Sequence, residues 1–224
     1  MSIFWLIVIV AVLGVAGYVL GRARALASAG GDIRKLHSLP QYYGSNVLFS
    51  TWVPAFLFLG AILVVGPLYV DNRVSATIPD AAIAEGSTRG LMMADVRRVA
   101  EGLDRAVREG AMTRDDAGSL RTELTDVRSR LGDIGVALGS DVTSETLRAA
   151  QRYRDMAGTV TVVTWVGTLL LALAGFGYSW LRTNKDFRAR NIVEQGVLTL
   201  LVMAASVAIL TTVGIVFSLI STRS

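Results

Sequence analysis

Residues 21–44 read GRARALASAGGDIRKLHSLPQYYG, a polar and basic stretch between two apolar runs. Four cations, Arg22, Arg24, Arg34 and Lys35, stand in the loop 22–45 against one acid, Asp32. The run before it, residues 3–20 (IFWLIVIVAVLGVAGYVL), carries no charge. At about 1.5 Å of rise per residue it reaches roughly 27 Å, enough for the hydrocarbon core of a bilayer. The run after it, residues 47–70, is equally apolar and contains Pro54 and Pro67. These prolines predict kinks and not a break, because neighbouring helices and local adjustments re-satisfy the freed carbonyls. A short basic loop between two such spans also orients the chain, since an excess of Lys and Arg in short loops marks the cytoplasmic side.

The whole composition agrees with this beginning. Of 224 residues 52% are apolar and the mean hydropathy is +0.51, more than a soluble domain of this size could cover. The absence of cysteine excludes disulfides, thiolate catalysis and cysteine-ligated metals. The single histidine, His37, leaves little material for a histidine-based metal site. A net charge of +4 and a pI near 9.8 suggest nucleic acid at first sight. That reading fails because the excess cations flank apolar runs, where membrane topology accounts for them. No nucleic-acid partner is expected.

The first run is expected to be a retained anchor. A cleaved signal peptide has its cations before the apolar run, whereas here they follow it. Within it Gly17-x-x-x-Gly21 has the spacing that lets another helix approach closely.

Residues 71–155 differ in character, with thirteen Arg, no Lys, and fifteen Asp plus Glu. From 91 to 109 the apolar positions Met92, Val96, Val99, Leu103 and Val107 predict an amphipathic helix. Its polar face offers Glu101–Arg105 and Asp104–Arg108 pairs, and Gly110 ends it. Thr113-x-x-Asp116 resembles a capping signature and opens a second helix carrying Leu120, Leu124, Val127 and Leu131. Gly132, Gly135 and Gly139 mark a turn region, after which Thr143 or Ser144 caps a third helix with Leu147, Ala150 and Tyr153 inward. That helix is expected to continue into a third span at 157–181. The product is a helical hairpin closed by extensions of the flanking spans, which it needs because so short a pair buries little.

A second short basic loop, 182–191, holds Arg182, Lys185, Arg188 and Arg190 against Asp186, and a fourth span follows at 192–220. Trp52, Tyr69, Tyr178 and Trp180 fall where interfacial aromatics are expected. The fold class is therefore an all-α membrane protein with four transmembrane helices and an extracytoplasmic helical hairpin domain between the second and third. Its parts are 1–70, 71–155 and 156–224. The eight cations Arg22, Arg24, Arg34, Lys35, Arg182, Lys185, Arg188 and Arg190 place both loops in the cytoplasm, with segment 71–155 and both termini periplasmic. A bacterial inner (plasma) membrane is the expected location.

Chemistry is sparse. No Asp, Glu, Lys, Arg or His lies in the interior of a span, Glu194 standing at the entry of the fourth, which argues against an ion pathway, a proton relay and an intramembrane enzyme. The span hydroxyls, among them Thr161, Thr164, Thr168, Thr199, Ser206, Thr211 and Thr212, read as glue between helices. His37 has no nucleophile or metal cluster beside it and reads as structural. Asp115-Asp116 and the Glu101/Asp104 pair lack the oxygen spacing of a calcium loop, and the outer arginines have acids nearby. No catalytic, cofactor or metal site is expected.

Several motifs carry a resemblance: Gly21-Arg22, Arg24-Ala25-Leu26-Ala27, Gly30-Gly31-Asp32, Leu36-His37-Ser38-Leu39-Pro40 and Tyr42-Tyr43-Gly44. Together they resemble the N-terminal region of the PstC family, the permease subunit of phosphate-specific (Pst) ABC importers, in its long proteobacterial form. Residues 188–216 (RARNIVEQGVLTLLVMAASVAILTTVGIV) are similar to the segment where that extension enters the permease proper. The resemblance implies a non-catalytic module of a phosphate importer. Its implied partners are membrane lipid, the other permease subunits, the ATPase subunit and the periplasmic phosphate-binding protein. The permease core, with its Glu-Ala-Ala type coupling loop, is absent from this chain, so transport is expected of the complex and not of these residues. A reading from a different class stays open, a stand-alone membrane sensor or scaffold with a periplasmic helical interaction domain.

Overall fold

A computed structural model describes residues 2–79, 88–120 and 143–221. The described residues form six α-helices and no strand: α1 (Ile3–Ser28), α2 (Pro40–Ser75), α3 (Arg89–Arg108), α4 (Arg114–Ser119), α5 (Ser144–Arg182) and α6 (Ala189–Ser221). A single 3-10 turn, Ile33–Lys35, lies between α1 and α2. The helices α1, α2, α5 and α6 are long and apolar enough to cross a membrane. The chain divides into two compact units, residues 1–58 with 167–224 and residues 59–166, and α2 and α5 contribute a part to each.

The spanning helices outrun the apolar runs that announce them. Nothing in Arg22-Ala23-Arg24-Ala25-Leu26-Ala27 breaks a helix, since Ala, Arg and Leu are among the best helix formers. The expected loop at 22–45 is therefore confined to the residues between Ser28 and Pro40, with Arg22 and Arg24 on α1. Gly30 and Gly31 end α1 with φ of +65° and +82°, and the Gly31 N–H closes on the Leu26 carbonyl at 2.9 Å. Pro40 opens α2, where a missing N–H costs nothing, and α2 continues through Pro54 and Pro67 without a break.

In the first unit α1 buries a stripe of Leu6, Val10, Gly14, Gly17, Gly21 and Ala25. The expected close approach occurs here. Val47 of α2 packs on both Gly17 and Gly21, and a Cβ at Gly14 would collide with the Trp52 indole. Trp52 therefore sits against α1, donating its indole N–H to the Val10 carbonyl at 3.1 Å. The α2–α5 contact is as tight: a Cβ at Gly175 would run into the Ser50 carbonyl. Between apolar helices in lipid there is no hydrophobic drive, so backbone approach of this kind supplies the packing contacts.

Most of the span hydroxyls donate within their own helix. Those of Thr161, Thr164, Thr199, Ser206, Thr211 and Thr212 each donate to the carbonyl four residues earlier in their own helix. Back-bonding satisfies the donor of each of these hydroxyls within its own helix, while the hydroxyl of Thr168 is buried without a hydrogen-bond partner among the described residues. A buried interhelical polar contact in the first unit joins α2 to α5, where Asn46 donates to the Ser179 hydroxyl at 2.5 Å.

The second unit has a continuous apolar core. Met92, Val96, Val99 and Leu103 of α3 are buried, as their spacing predicts, against Val70 and Val74 of α2 and Leu147 and Ala150 of α5. Polar contacts close each helix end. Thr88 caps α3, and Thr113 with Asp116 forms the expected capping box on α4. Gly110, at φ +77°, ends α3. Arg89 donates to the Ser75 carbonyl at 2.6 Å, satisfying the end of α2, and Gln151 of α5 donates to the Ala117 and Leu120 carbonyls at the end of α4. Asp104 bonds Arg154 of α5 at 2.7 Å and not Arg108 on its own helix, while Arg97 reaches Asp71 of α2 at 2.7 Å. Thr143 caps α5, which runs on without interruption into the third apolar run. The second arm of the expected hairpin ends at Ser119 as a six-residue helix within the described residues, and Leu124, Val127 and Leu131 lie outside them.

Candidate functional site at the interlocked basic loops

The two basic loops meet at one end of the first unit. The carbonyl of Lys185 is the hub: it accepts the His37 backbone N–H at 3.2 Å and the Tyr43 hydroxyl at 3.2 Å, with His37 Nδ1 3.3 Å away. His37 thus serves as a strut between loops, in keeping with a structural reading. Ser38 accepts the Arg190 backbone N–H at 3.3 Å, so one loop caps the first turn of the helix that follows the other. Beneath these bonds Ala25, Tyr43 and Ala189 are buried, with Leu36, Tyr42 and Phe187 packed on them.

Arg24 is the cation drawn furthest into this interlock. Its Nε donates to the Thr183 carbonyl at 3.1 Å, and its guanidinium lies 4.2 Å from the centre of the Trp180 ring. Trp180 in turn stacks with Phe176 of the same helix. A helix-terminal carbonyl beside an aromatic face suits a planar cation that both donates and stacks. Sequence reasoning marks Arg24 as a topology charge and Trp180 as an interfacial aromatic, and misses that they join.

The remaining cations keep their heads outward. Arg22 on α1, Arg34 and Lys35 in the 3-10 turn, and Lys185 and Arg188 between α5 and α6 are exposed. Arg182 ends α5 with its guanidinium 4.4 Å over the Tyr178 ring, and Arg190 pairs with Glu194 one turn along α6 at 2.6 Å. All eight sequence-marked cations belong to the two loops or the helix turns that flank them. Among the described residues there is no group of three His, Asp or Glu side chains able to hold a metal.

Next to the interlock a groove of about 830 Å³ opens between α2, α5 and α6. It runs from Asn46, Tyr178 and Ile192 near the loops to Leu57, Leu171 and Met203 further along the helices, and its walls are mostly apolar. Two glycines shape it. Gly175 admits the Ser50 carbonyl at its floor, and Gly196 faces open space.

A family model described as "Phosphate ATP-binding cassette transporter" matches residues 7–177, which is most of the chain. No curated protein matches. No solved structure matches.

Proposed function

The chain belongs to this phosphate ATP-binding cassette transporter family, and from that premise we propose that it is the N-terminal, non-catalytic membrane module of a phosphate importer's permease subunit. The observation that carries the reading is the family match itself, which takes in most of the first and third apolar runs, the whole of the second and everything between them. The residue-level likeness to the PstC N-terminal region points the same way. The module anchors the subunit by its four apolar helices and presents a helical segment outside. Phosphate crosses elsewhere in the complex, because the interiors of the spans offer no charged group to an anion.

In this reading the interlocked loops face the cytoplasm, 71–155 and both termini face the periplasm, and the membrane is the bacterial inner membrane. The module joins the other permease subunits and the ATPase subunit in the membrane, with the periplasmic phosphate-binding protein docking from outside. It is no enzyme and holds no cofactor. Affinity capture of the tagged chain from native membranes is expected to recover the permease and ATPase subunits of a phosphate importer. Recovery of the chain without any transporter subunit sinks the proposal and favours a stand-alone scaffold.

A further inference from the structure

We propose that the groove between α2, α5 and α6 seats one anionic phospholipid, its acyl chain along the apolar wall and its phosphate at Arg182. This rests on the groove and its charges and not on the transport reading.

Length and polarity select the occupant. From Asn46 to Leu57 along α2, at 1.5 Å per residue, the groove extends for about 16 Å, close to half of a hydrocarbon core of roughly 30 Å. It therefore matches one leaflet, and its loop-side end is the one bordered by cations. Phe49, Val53, Leu57, Leu171 and Met203 offer an acyl chain a wall without charge. Asn46, the polar group at the upper end, already spends its amide on Ser179, so it does not draw a polar head deeper.

Arg182 stands at the mouth. Tyr178 is itself part of the groove wall, and the guanidinium lies over that ring at 4.4 Å, so the ring that borders the groove also orients the cation. The Arg182 side chain is exposed and keeps N–H donors for phosphate oxygens in a planar fork. Lys185 and Arg188 in the adjoining loop add positive potential. A zwitterionic headgroup presents the same phosphate but brings its own cation into that field, which disfavours it.

The full chain, placed in nanodiscs of equal phosphatidylglycerol and phosphatidylcholine, can be released by gentle activation and weighed by native mass spectrometry. One retained phosphatidylglycerol per chain is expected, favoured over phosphatidylcholine about fivefold, the factor that one cation near the surface supplies. Arg182→Gln should bring the two lipids to parity, whereas Arg22→Gln, an exposed cation on α1 outside the groove, should leave the preference intact. Gly196→Trp fills the groove from a position where a side chain meets open space, and should release both lipids while helix content by circular dichroism stays the same. Equal retention of both lipids by the unmodified chain overturns the proposal. So does equal loss in Arg22→Gln and Arg182→Gln, which marks a diffuse surface attraction. A polypeptide retained in place of lipid on chain taken directly from native membranes, and lost in Gly196→Trp, overturns it in favour of a protein occupant.

Discussion

Arg24 shows what a single residue does here that its charge does not announce. In sequence it is one of four cations in a short loop, interchangeable with its neighbours as a topology signal. In the fold its guanidinium is both donor to Thr183 and partner of the Trp180 face. A hydrogen bond from a charged group is worth about 1.5–3 kcal/mol, and a cation over an aromatic ring adds about 0.5–1 kcal/mol where exposed. Arg24→Gln is therefore expected to loosen the interlock by about 2 kcal/mol, taken from the same two contributions after allowing for partial exposure. The measurement is backbone amide exchange in residues 183–188, which should speed up by more than tenfold. Arg24→Lys should restore little, because an ammonium cannot stack and donate along the same plane. Exchange unchanged in both variants would mean the contact is incidental. Arg22, two residues away and exposed, is the internal control.

At the level of the element, the parts that could be read from sequence are those governed by local periodicity. The α3 positions Met92, Val96, Val99 and Leu103 recur every three or four residues, and all four are buried. The capping box at Thr113 and Asp116 and the stop at Gly110 are equally local, and both appear where the residues say. Partners chosen across space were not legible. Asp104 has an arginine one turn away in sequence, yet Arg154 reaches it from another helix. Six of the span hydroxyls named from sequence donate to a carbonyl of their own helix, whereas that of Thr168 is buried without a hydrogen-bond partner among the described residues. Trp52 shows only its position near a span end in the sequence, and the slot that Gly14 opens for its indole is revealed by the fold alone. The core role of α3 has a direct test. Leu103→Ala removes a fully buried side chain, and such truncations cost about 2–5 kcal/mol. A fall of several degrees in the thermal midpoint of the detergent-solubilised chain is expected, with Leu91→Ala, at an exposed position of the same helix, near neutral. Equal midpoints for the two variants would show that α3 is not held through this face.

At the scale of the whole molecule, the four apolar runs and the two basic loops were plain in the sequence, because lipid demands long uncharged helices and their charge bias is a compositional signal. That the loops interlock was not, since a carbonyl shared by His37 and Tyr43 leaves no trace in residue type. The interlock gives the charge pattern added weight. Two loops that bond to one another lie on one side of a membrane, so their cations count together toward orientation. The central claim to test is the proposed orientation, with the basic loops cytoplasmic and segment 71–155 periplasmic. The chain contains no cysteine, so single substitutions can be labelled without background. Lys35→Cys in the first loop and Ser119→Cys at the end of α4 are both at exposed positions. With a membrane-impermeant maleimide on intact spheroplasts, Ser119→Cys should label at once and Lys35→Cys only after the membrane is opened. Labelling of Lys35→Cys from outside, with Ser119→Cys protected, would contradict the orientation and the module's proposed place in the importer.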